Sequence, residues 1–234
     1  MKNIVIIGIS DTAGRVIQFI ERYNLFNILG CSVSKEYLPK HNEILLGGGK
    51  RKVCALEQLH EYIDIDNDLV FVAIFWNRLN ADRRYLYEKV KAMGFRFANV
   101  ISPNCSLRSR SIGENCWICD YVIAEEESVI GNNCSIQDGA FIGDWAHLED
   151  HVFMAARSSV YGSTLIGEQS FVGINANVFD EVHIGKKCMI GACTIVKRNV
   201  PDFTVVKTIN DGNVIKQYPE EVIESKWLAH HNTR

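Results

Sequence analysis

A strict six-residue period of apolar residues runs through the second half of the chain, from Ile112 to Val196. The residues are Ile112, Ile118, Ala124, Ile130, Ile136, Ile142, Leu148, Met154, Val160, Ile166, Val172, Val178, Ile184, Ile190 and Val196. Glycine often follows these positions, and small side chains recur two residues before them. A helix has a period of 3.6 residues and a strand a period of 2, whereas a solenoid built from hexapeptides has a period of six. We therefore predict a parallel β-helix over residues 102–200, with three six-residue sides in each coil.

The first hundred residues instead alternate short apolar runs with amphipathic segments. The runs predict strands over 4–7, 28–33, 69–75 and 97–101, and the segments predict helices ending near Tyr23 and covering 56–62 and 83–93, with a loop at 47–50. This alternation is typical of an α/β domain, here a βαβ (Rossmann-like) domain over 1–101. The C-terminal extension, 201–234, predicts a strand at 204–207, a turn at 210–212 and a helix over 220–229.

Composition excludes several classes of protein. The 234 residues are 47% hydrophobic and 23% charged, with a formal net charge of -3, so no basic excess points to nucleic acid. No apolar run approaches the roughly 20 residues of a membrane span, and the apolar start is too short for a signal peptide. We therefore expect a cytoplasmic protein that binds neither nucleic acid nor a membrane.

Cysteine usage fits the same setting. Cys116, Cys134 and Cys188 fall in the small inward slot of the repeat, which favours buried thiols over disulfides. The Cys116-x-x-Cys119 pair has no second pair to complete a metal site. We expect no bound metal.

A βαβ domain followed by [Ile/Val]-Gly-x-x-[small]-x hexapeptides resembles the left-handed β-helix acyltransferases. The layout is most similar to the two-domain bacterial nucleotide-sugar N-acetyltransferases, and sialic acid O-acetyltransferases share it. The resemblance implies a homotrimer with active sites between neighbouring solenoids. It also implies acetyl-CoA bound along the groove between them, and a nucleotide held by the N-terminal domain.

The resemblance assigns catalytic positions through the repeat register. The family's histidine position falls on Asp144, after Ile142-Gly143, and a second family histidine falls on Phe153. The oxyanion glycine falls on Gly162, which has the alternative reading of a corner glycine with positive φ. His147, three residues after Asp144, and His151 are alternative bases, although both also suit surface or subunit-interface positions. The predicted catalytic residues are therefore Asp144, His147 and Gly162.

The remaining predicted site residues bind the two substrates. Coenzyme residues implied by the resemblance are Gly162, Gly173, Ile174, Gly191 and Ala192. Residues expected near the nucleotide sugar follow the predicted strands: Gly8, Ser10, Asp11, Ser32 and Asn77. A loop at a helix start can hold phosphate with its backbone N–H groups.

The missing histidine favours one reaction over another. An amine attacks a thioester once it is neutral and positioned, whereas an alcohol needs a base. We therefore predict N-acetylation of a nucleotide-linked amino sugar in bacterial surface glycan synthesis, such as lipopolysaccharide or capsule. The alternatives are a sugar O-acetyltransferase and a catalytically silent scaffold. A zinc enzyme like the hexapeptide carbonic anhydrases is disfavoured, because only three residues separate His147 from His151 where that family has four.

Overall fold

The computed structural model describes residues 1–209 and 212–224, which divide into two compact units. The first consists of Met1–Phe75 and Tyr85–Val100, and the second of Trp76–Arg84 and the chain from Ile101 onward. Within the described residues, no helix has the length and apolar character needed to cross a bilayer.

The first unit is built on a five-stranded sheet in the order β3-β4-β2-β1-β5. Its strands are β1 (Asn3–Ile7), β2 (Asn27–Val33), β3 (Glu43–Leu46), β4 (Gly49–Ala55) and β5 (Leu69–Val72). Helix α1 (Asp11–Tyr23) follows β1, α2 (Ala81–Ala92) follows β5, and short 3-10 helices cover Lys35–Tyr37 and Leu56–Glu61. Strand β1 pairs in parallel with both β2 and β5, which confirms the βαβ prediction.

The region around residues 47–50 differs from its prediction as a loop. Strands β3 and β4 form an antiparallel hairpin, and the turn between them is Gly47-Gly48, both at positive φ. Two glycines at positive φ suit a tight hairpin turn. The hairpin shows little apolar alternation, because β3 is mostly exposed and Leu45 points to solvent. Two further predictions overestimated regular structure. The strand predicted over 69–75 ends at Val72, and the helix predicted over 56–62 is a 3-10 helix, Leu56–Glu61.

The second unit is a parallel β-helix of two-residue strands. In chain order these are β6 (Val100–Ile101), β7 (Ser106–Leu107), β8 (Ser111–Ile112), β9 (Trp117–Ile118), β10 (Ile123–Ala124), β11 (Val129–Ile130), β12 (Ser135–Ile136), β13 (Phe141–Ile142), β14 (His147–Leu148), β15 (Phe153–Met154), β16 (Ser159–Val160), β17 (Leu165–Ile166), β18 (Phe171–Val172), β19 (Asn177–Val178), β20 (His183–Ile184), β21 (Met189–Ile190) and β22 (Ile195–Val196). From β8 to β22, each strand pairs with the strand three places later, which lies 18 residues further along the chain, as Phe141 does with Ser159. Three parallel sheets result, as the six-residue period predicts.

The apolar period forms the core of this unit. All of its members are buried except Ile112, which is partly buried against the same cluster. Cys116, Cys134 and Cys188 are buried free thiols, as predicted. Burial raises the pKa of Cys134 and raises that of Cys188 to about 12, so both stay protonated at neutral pH.

A second six-residue period appears in the backbone. One residue in each turn adopts positive φ, from Asn115 to Cys193, and only Gly139 among them is a glycine. The recurring glycines sit two residues earlier and serve a different purpose. A Cβ on Gly167, for example, would lie 2.5 Å from the carbonyl carbon of Gly185 in the next coil. Close stacking of coils therefore leaves no space for a side chain at Gly167.

One edge of the solenoid is closed by other parts of the second unit. Its turn residues, 18 positions apart, form the closed edge: Asn115, Asn133, His151, Gln169 and Lys187. The Asn115 amide nitrogen donates to Asn133 Oδ1 at 2.7 Å, and Asn133 Nδ2 lies 2.9 Å from His151 Nδ1.

Three residues of the segment Trp76–Arg84 bind this closed edge. The Asn80 side chain donates to the His151 carbonyl at 2.7 Å, and Arg83 donates to the Asn115 carbonyl at 2.8 Å. Arg84 donates to Gln169 Oε1 at 3.2 Å and also pairs with the neighbouring Glu168 at 2.8 Å. Burial lowers the pKa of Arg83 to about 10, which still leaves its guanidinium charged at neutral pH.

The C-terminal extension adds a hairpin and a short helix. Strand β23 (Thr204–Ile209) continues the sheet beside β21 and pairs with β24 (Gly212–Gln217). The strand predicted at 204–207 is thus confirmed and is longer than expected. Helix α3 (Glu220–Ile223) lies within the predicted 220–229 helix, and Lys187 pairs with its Glu220 at 2.8 Å. The remainder of that helix, and residues 210 and 211 of the predicted turn, lie outside the described residues.

Candidate active site

Two of the three predicted catalytic residues, Asp144 and Gly162, lie on a second edge, which we call the acidic edge. It is the stack of turns that contains Glu126, Asp144, Gly162 and Asp180, one in each of four successive coils. The backbone ties these turns together, because the Ser163 N–H donates to the Asp144 carbonyl and the Glu181 N–H donates to the Gly162 carbonyl, both at 2.9 Å. Asp144 and Gly162 are therefore direct neighbours, as the register predicts.

Aspartates in other turns of the solenoid share one structural task. The N–H of Asn132 donates to Asp150 Oδ1 at 2.7 Å, and the N–H of Asp120 donates to Asp138 Oδ1 at 3.1 Å. Each bond joins a turn amide to a carboxylate 18 residues later, and we call it the turn clamp. It satisfies an N–H group that the short strands leave without a partner.

Asp144 departs from this pattern. The turn clamp at its position would join it to the N–H of Glu126, but no hydrogen bond to the Asp144 carboxylate occurs within residues 1–209 and 212–224. Its Oδ1 atom lies instead 2.9 Å from the point where a Cβ of residue 162 would stand. Asp144 is half-buried, so its carboxylate is partly open to solvent and is not committed to the scaffold.

Gly162 is flanked by two carboxylates. Its N–H donates to Asp180 Oδ1 at 3.0 Å, which is a turn clamp. Asp180 Oδ1 and Asp144 Oδ1 lie 3.2 and 2.9 Å from its Cβ position. The alternative reading of Gly162 as a corner glycine with positive φ is wrong, because the positive φ of this turn falls on Ser163. Glycine here lets both carboxylates stay close to the turn, since an added Cβ would push the Asp144 side chain away.

Aromatic side chains accompany the acidic edge, and sequence reasoning missed them. The ring centroids of Tyr161 and Phe179 are 6.1 Å apart, and those of Phe141 and Tyr161 are 5.7 Å apart. Tyr161 and Phe179 are about two-fifths exposed. Both occupy the slot after an inward aliphatic residue, where glycine otherwise recurs. An aromatic residue in a slot that usually holds glycine was the feature of the sequence that could have identified them.

The three histidines of the solenoid occupy different environments. His147 and His183 are exposed on outer positions of β14 and β20, with Leu165 paired between them. Within the described part of the chain, His147 forms neither a hydrogen bond nor an ion pair with Asp144. His151, the other candidate base, is 4% exposed and belongs to the closed edge. A buried ring on a different edge has no access to the acidic edge, so this reading of His151 is wrong.

Four of the five predicted coenzyme residues, Gly173, Ile174, Gly191 and Ala192, cluster on the third edge, whereas Gly162 lies on the acidic edge. Ile174 and Ala192 occupy equivalent turns 18 residues apart, and the Cys193 N–H donates to the Ile174 carbonyl at 2.8 Å. Gly173 packs against the Ala192 backbone, where a Cβ would lie 2.6 Å from its nitrogen, and Ile174 is half exposed. One outer face of the solenoid, the sheet that includes β13, β16 and β19, separates these residues from Asp144.

A cavity of about 510 Å³ lies near the last coil. It is lined by Ile195, Lys197, Arg198 and Ile215, among others. Two cationic side chains beside apolar surface suit an organic phosphate. The Lys197 ammonium also lies 5.4 Å from the centre of the Phe179 ring.

In the first unit, four predicted substrate residues gather at the carboxyl ends of β1 and β2. The Gly8 N–H donates to the Ser32 carbonyl at 2.9 Å, and Ser10 and Asp11 are exposed at the start of α1. Ser32 is fully buried, so its hydroxyl is not available to a nucleotide, which corrects that prediction. Asn77 belongs to the second unit. A cavity of about 290 Å³ in the first unit, lined by His41, Lys52 and Tyr62, includes none of the predicted residues.

No group of three histidine, cysteine or acidic residues that could hold a metal occurs in the part of the chain that the structure describes.

Comparison with known proteins agrees with this architecture. The bacterial transferase hexapeptide (six repeats) model matches residues 111–144. A variant of perosamine N-acetyltransferase from Caulobacter crescentus, solved with CoA and GDP-perosamine, is similar with a TM-score of 0.78 and 24% identity. The similarity covers 93% of this chain and 98% of that one.

Two curated proteins are similar in sequence. The bifunctional protein GlmU of Acetivibrio thermocellus is 28% identical over 130 residues, which are 50% of this chain and 28% of GlmU. The putative lipopolysaccharide biosynthesis O-acetyl transferase WbbJ of Escherichia coli K12 is 24% identical over 178 residues, which are 68% of this chain and 90% of WbbJ. The chain thus spans less than a third of the length of GlmU.

The repeat and the fold define a hexapeptide-repeat protein with a left-handed β-helix and an N-terminal domain. The resemblance inferred from the sequence is confirmed at this level. Within the class, the chain shares its two-domain layout with the structure of perosamine N-acetyltransferase.

Proposed function

We propose that the protein is an acyltransferase that moves an acetyl group from acetyl-CoA to the amino group of a nucleotide-linked amino sugar. The shared layout supports this, because the perosamine N-acetyltransferase structure contains CoA and GDP-perosamine. The reaction would serve bacterial surface glycan synthesis in the cytoplasm.

The observation that carries the proposal is the uncommitted carboxylate of Asp144 beside Gly162. In the reaction, the amine lone pair attacks the thioester carbonyl carbon, the carbon–sulfur bond breaks, and coenzyme A leaves as its thiol after the nitrogen gives up a proton. A carboxylate at the family's histidine position orients the amino group, accepts the proton that leaves the nitrogen after attack, and passes it to the departing thiolate. The Gly162 N–H is the proposed donor to the developing oxyanion.

The acetyl donor fits the edge that carries Gly173, Ile174, Gly191 and Ala192. Half-exposed Ile174 offers apolar contact for the pantetheine arm. The basic residues Lys197 and Arg198 of the neighbouring cavity suit the phosphates of coenzyme A. The nucleotide of the acceptor fits the first unit, where the N-terminus of α1 presents backbone N–H groups near exposed Ser10 and Asp11. Gly8 would contribute close backbone approach only, because its N–H is bonded to the Ser32 carbonyl.

Transfer to a hydroxyl group is the second candidate, because the similar protein WbbJ is named an O-acetyl transferase. A hydroxyl acceptor needs a positioned base. His147 is exposed and has no described partner that would orient its ring. The amine acceptor therefore fits the site better, and a silent scaffold remains the outcome if neither substrate binds.

A panel of UDP-, dTDP- and GDP-linked amino sugars, assayed by release of coenzyme A thiol, tests the proposal. We expect turnover of at least one amino sugar and none of the matched hydroxyl sugars. Turnover of a hydroxyl sugar alone would support O-acetylation instead. Coenzyme A and nucleotide sugars that both fail to bind in calorimetry would favour the scaffold.

We also propose a homotrimer. Asp144 and the coenzyme residues lie on different edges of one solenoid, so a neighbouring copy is needed to bring an acidic edge against a coenzyme edge. Light scattering should therefore give about three times the chain mass of 26.5 kDa. A monomeric mass at assay concentration would contradict the shared-site arrangement.

A further inference from the structure

The proposed oxyanion donor already has a partner within the same chain. The Gly162 N–H donates to Asp180 Oδ1 at 3.0 Å, and Asp180 is exposed. A thioester oxygen must approach the same N–H to about 2.7–3.1 Å before the amide can stabilise the oxyanion. One backbone N–H does not serve both oxygens at full strength, so the carboxylate and the thioester compete.

The carboxylate also opposes the reaction electrostatically. The oxyanion would form where Asp180 now lies, and two negative charges at that distance repel. An acceptor that carries an ammonium group offers Asp180 an alternative partner. Asp144 Oδ1 and Asp180 Oδ1 both approach the Cβ position of Gly162, so the ammonium group would meet both acids.

We propose that Asp180 is a positioning residue that masks the Gly162 N–H until the acceptor amine arrives. This inference rests on the proposed acyl transfer. Acceptor binding would draw the Asp180 carboxylate away and free the amide for the thioester. Acetyl-CoA would then be activated only when an amine is present, and its hydrolysis without acceptor would be suppressed.

Asp180→Ala tests the inference by removing the mask. We expect the KM for acetyl-CoA to fall roughly three- to tenfold, which corresponds to the net strength of a hydrogen bond. Acetyl-CoA hydrolysis without acceptor should rise by a similar factor. Asp180→Asn should give intermediate values, because its Oδ1 atom still accepts from Gly162 but carries no charge.

Asp150→Ala is the matched control, since Asp150 forms the same turn clamp, to Asn132, on the closed edge, away from both proposed substrates. It should lower the melting temperature at least as much as Asp180→Ala and leave both kinetic values unchanged. Two results would overturn the mask alone, provided that the wild-type protein turns over. One is an Asp180→Ala variant with unchanged KM and hydrolysis rate, and the other is an Asp180→Asn variant that loses activity. A wild-type protein that does not bind acetyl-CoA in calorimetry would overturn the proposed function as well.

Discussion

Replacing Asp144 with alanine is expected to lower kcat at least tenfold while the KM for acetyl-CoA stays near its wild-type value. Among the turn aspartates, Asp144 has a carboxylate that the scaffold does not use, and it adjoins the proposed oxyanion donor. A group that orients the amine or takes its proton acts mainly in the transition state, so its loss appears in kcat. Steady-state kinetics with the best sugar of the panel measure the effect.

Two further variants separate charge from shape. Asp144→Asn keeps the size of the side chain, so a loss as large as that of alanine would assign the effect to the charge. Asp150→Asn removes the charge from a turn clamp on the closed edge and should leave kcat unchanged. An Asp144→Ala protein with wild-type kcat would show that the amine arrives neutral and needs no carboxylate.

Gly167→Ala is expected to destabilise the solenoid by about 3 kcal/mol, the upper end for overpacking. The new Cβ would lie 2.5–2.7 Å from backbone atoms of Gly185 and Lys186. Those atoms have little room to move, because the Gly167 N–H is bonded to the Ile184 carbonyl at 2.8 Å. Urea unfolding at a fixed protein concentration measures the loss, since assembly would contribute to the apparent stability.

Gly191→Ala supplies the comparison for that variant. Its Cβ would lie 3.1 Å from Lys207 Cβ and 3.3 Å from the Val206 carbonyl oxygen, so the neighbouring strand has to shift by only a few tenths of an ångström. We expect a loss below about 1 kcal/mol. Equal losses for the two variants would contradict the view that backbone contact between coils makes these glycines necessary.

The sequence predicted the structure well where the local environment of a position restricts the type of residue that can stand there. Each inward slot requires an apolar side chain, so the period of Ile112 to Val196 predicted the coils and placed Asp144 beside Gly162. Prediction from the sequence failed where a contact is made by residues far away in the chain. Nothing local in Asn80 or Arg83 shows that they cover the turns of His151 and Asn115.

The turn clamps were equally hidden. Asp138, Asp150 and Asp180 look like ordinary polar turn residues, and only the stacking of coils shows that each accepts a backbone N–H from the turn 18 residues earlier. The β3–β4 hairpin was missed for a different reason. Its Gly47-Gly48 signal was present in the sequence, but the exposed side chains of β3 lack apolar alternation.

The closed edge limits how this scaffold can be redesigned. Asn115, Asn133 and His151 bond to one another at one coil spacing, and Asn80 and Arg83 seal two of their turns. An inserted residue in any of those turns would break this series of hydrogen bonds and expose buried polar groups. Loops that change substrate choice can therefore be grafted only into the turns of the other two edges, the acidic edge and the third edge.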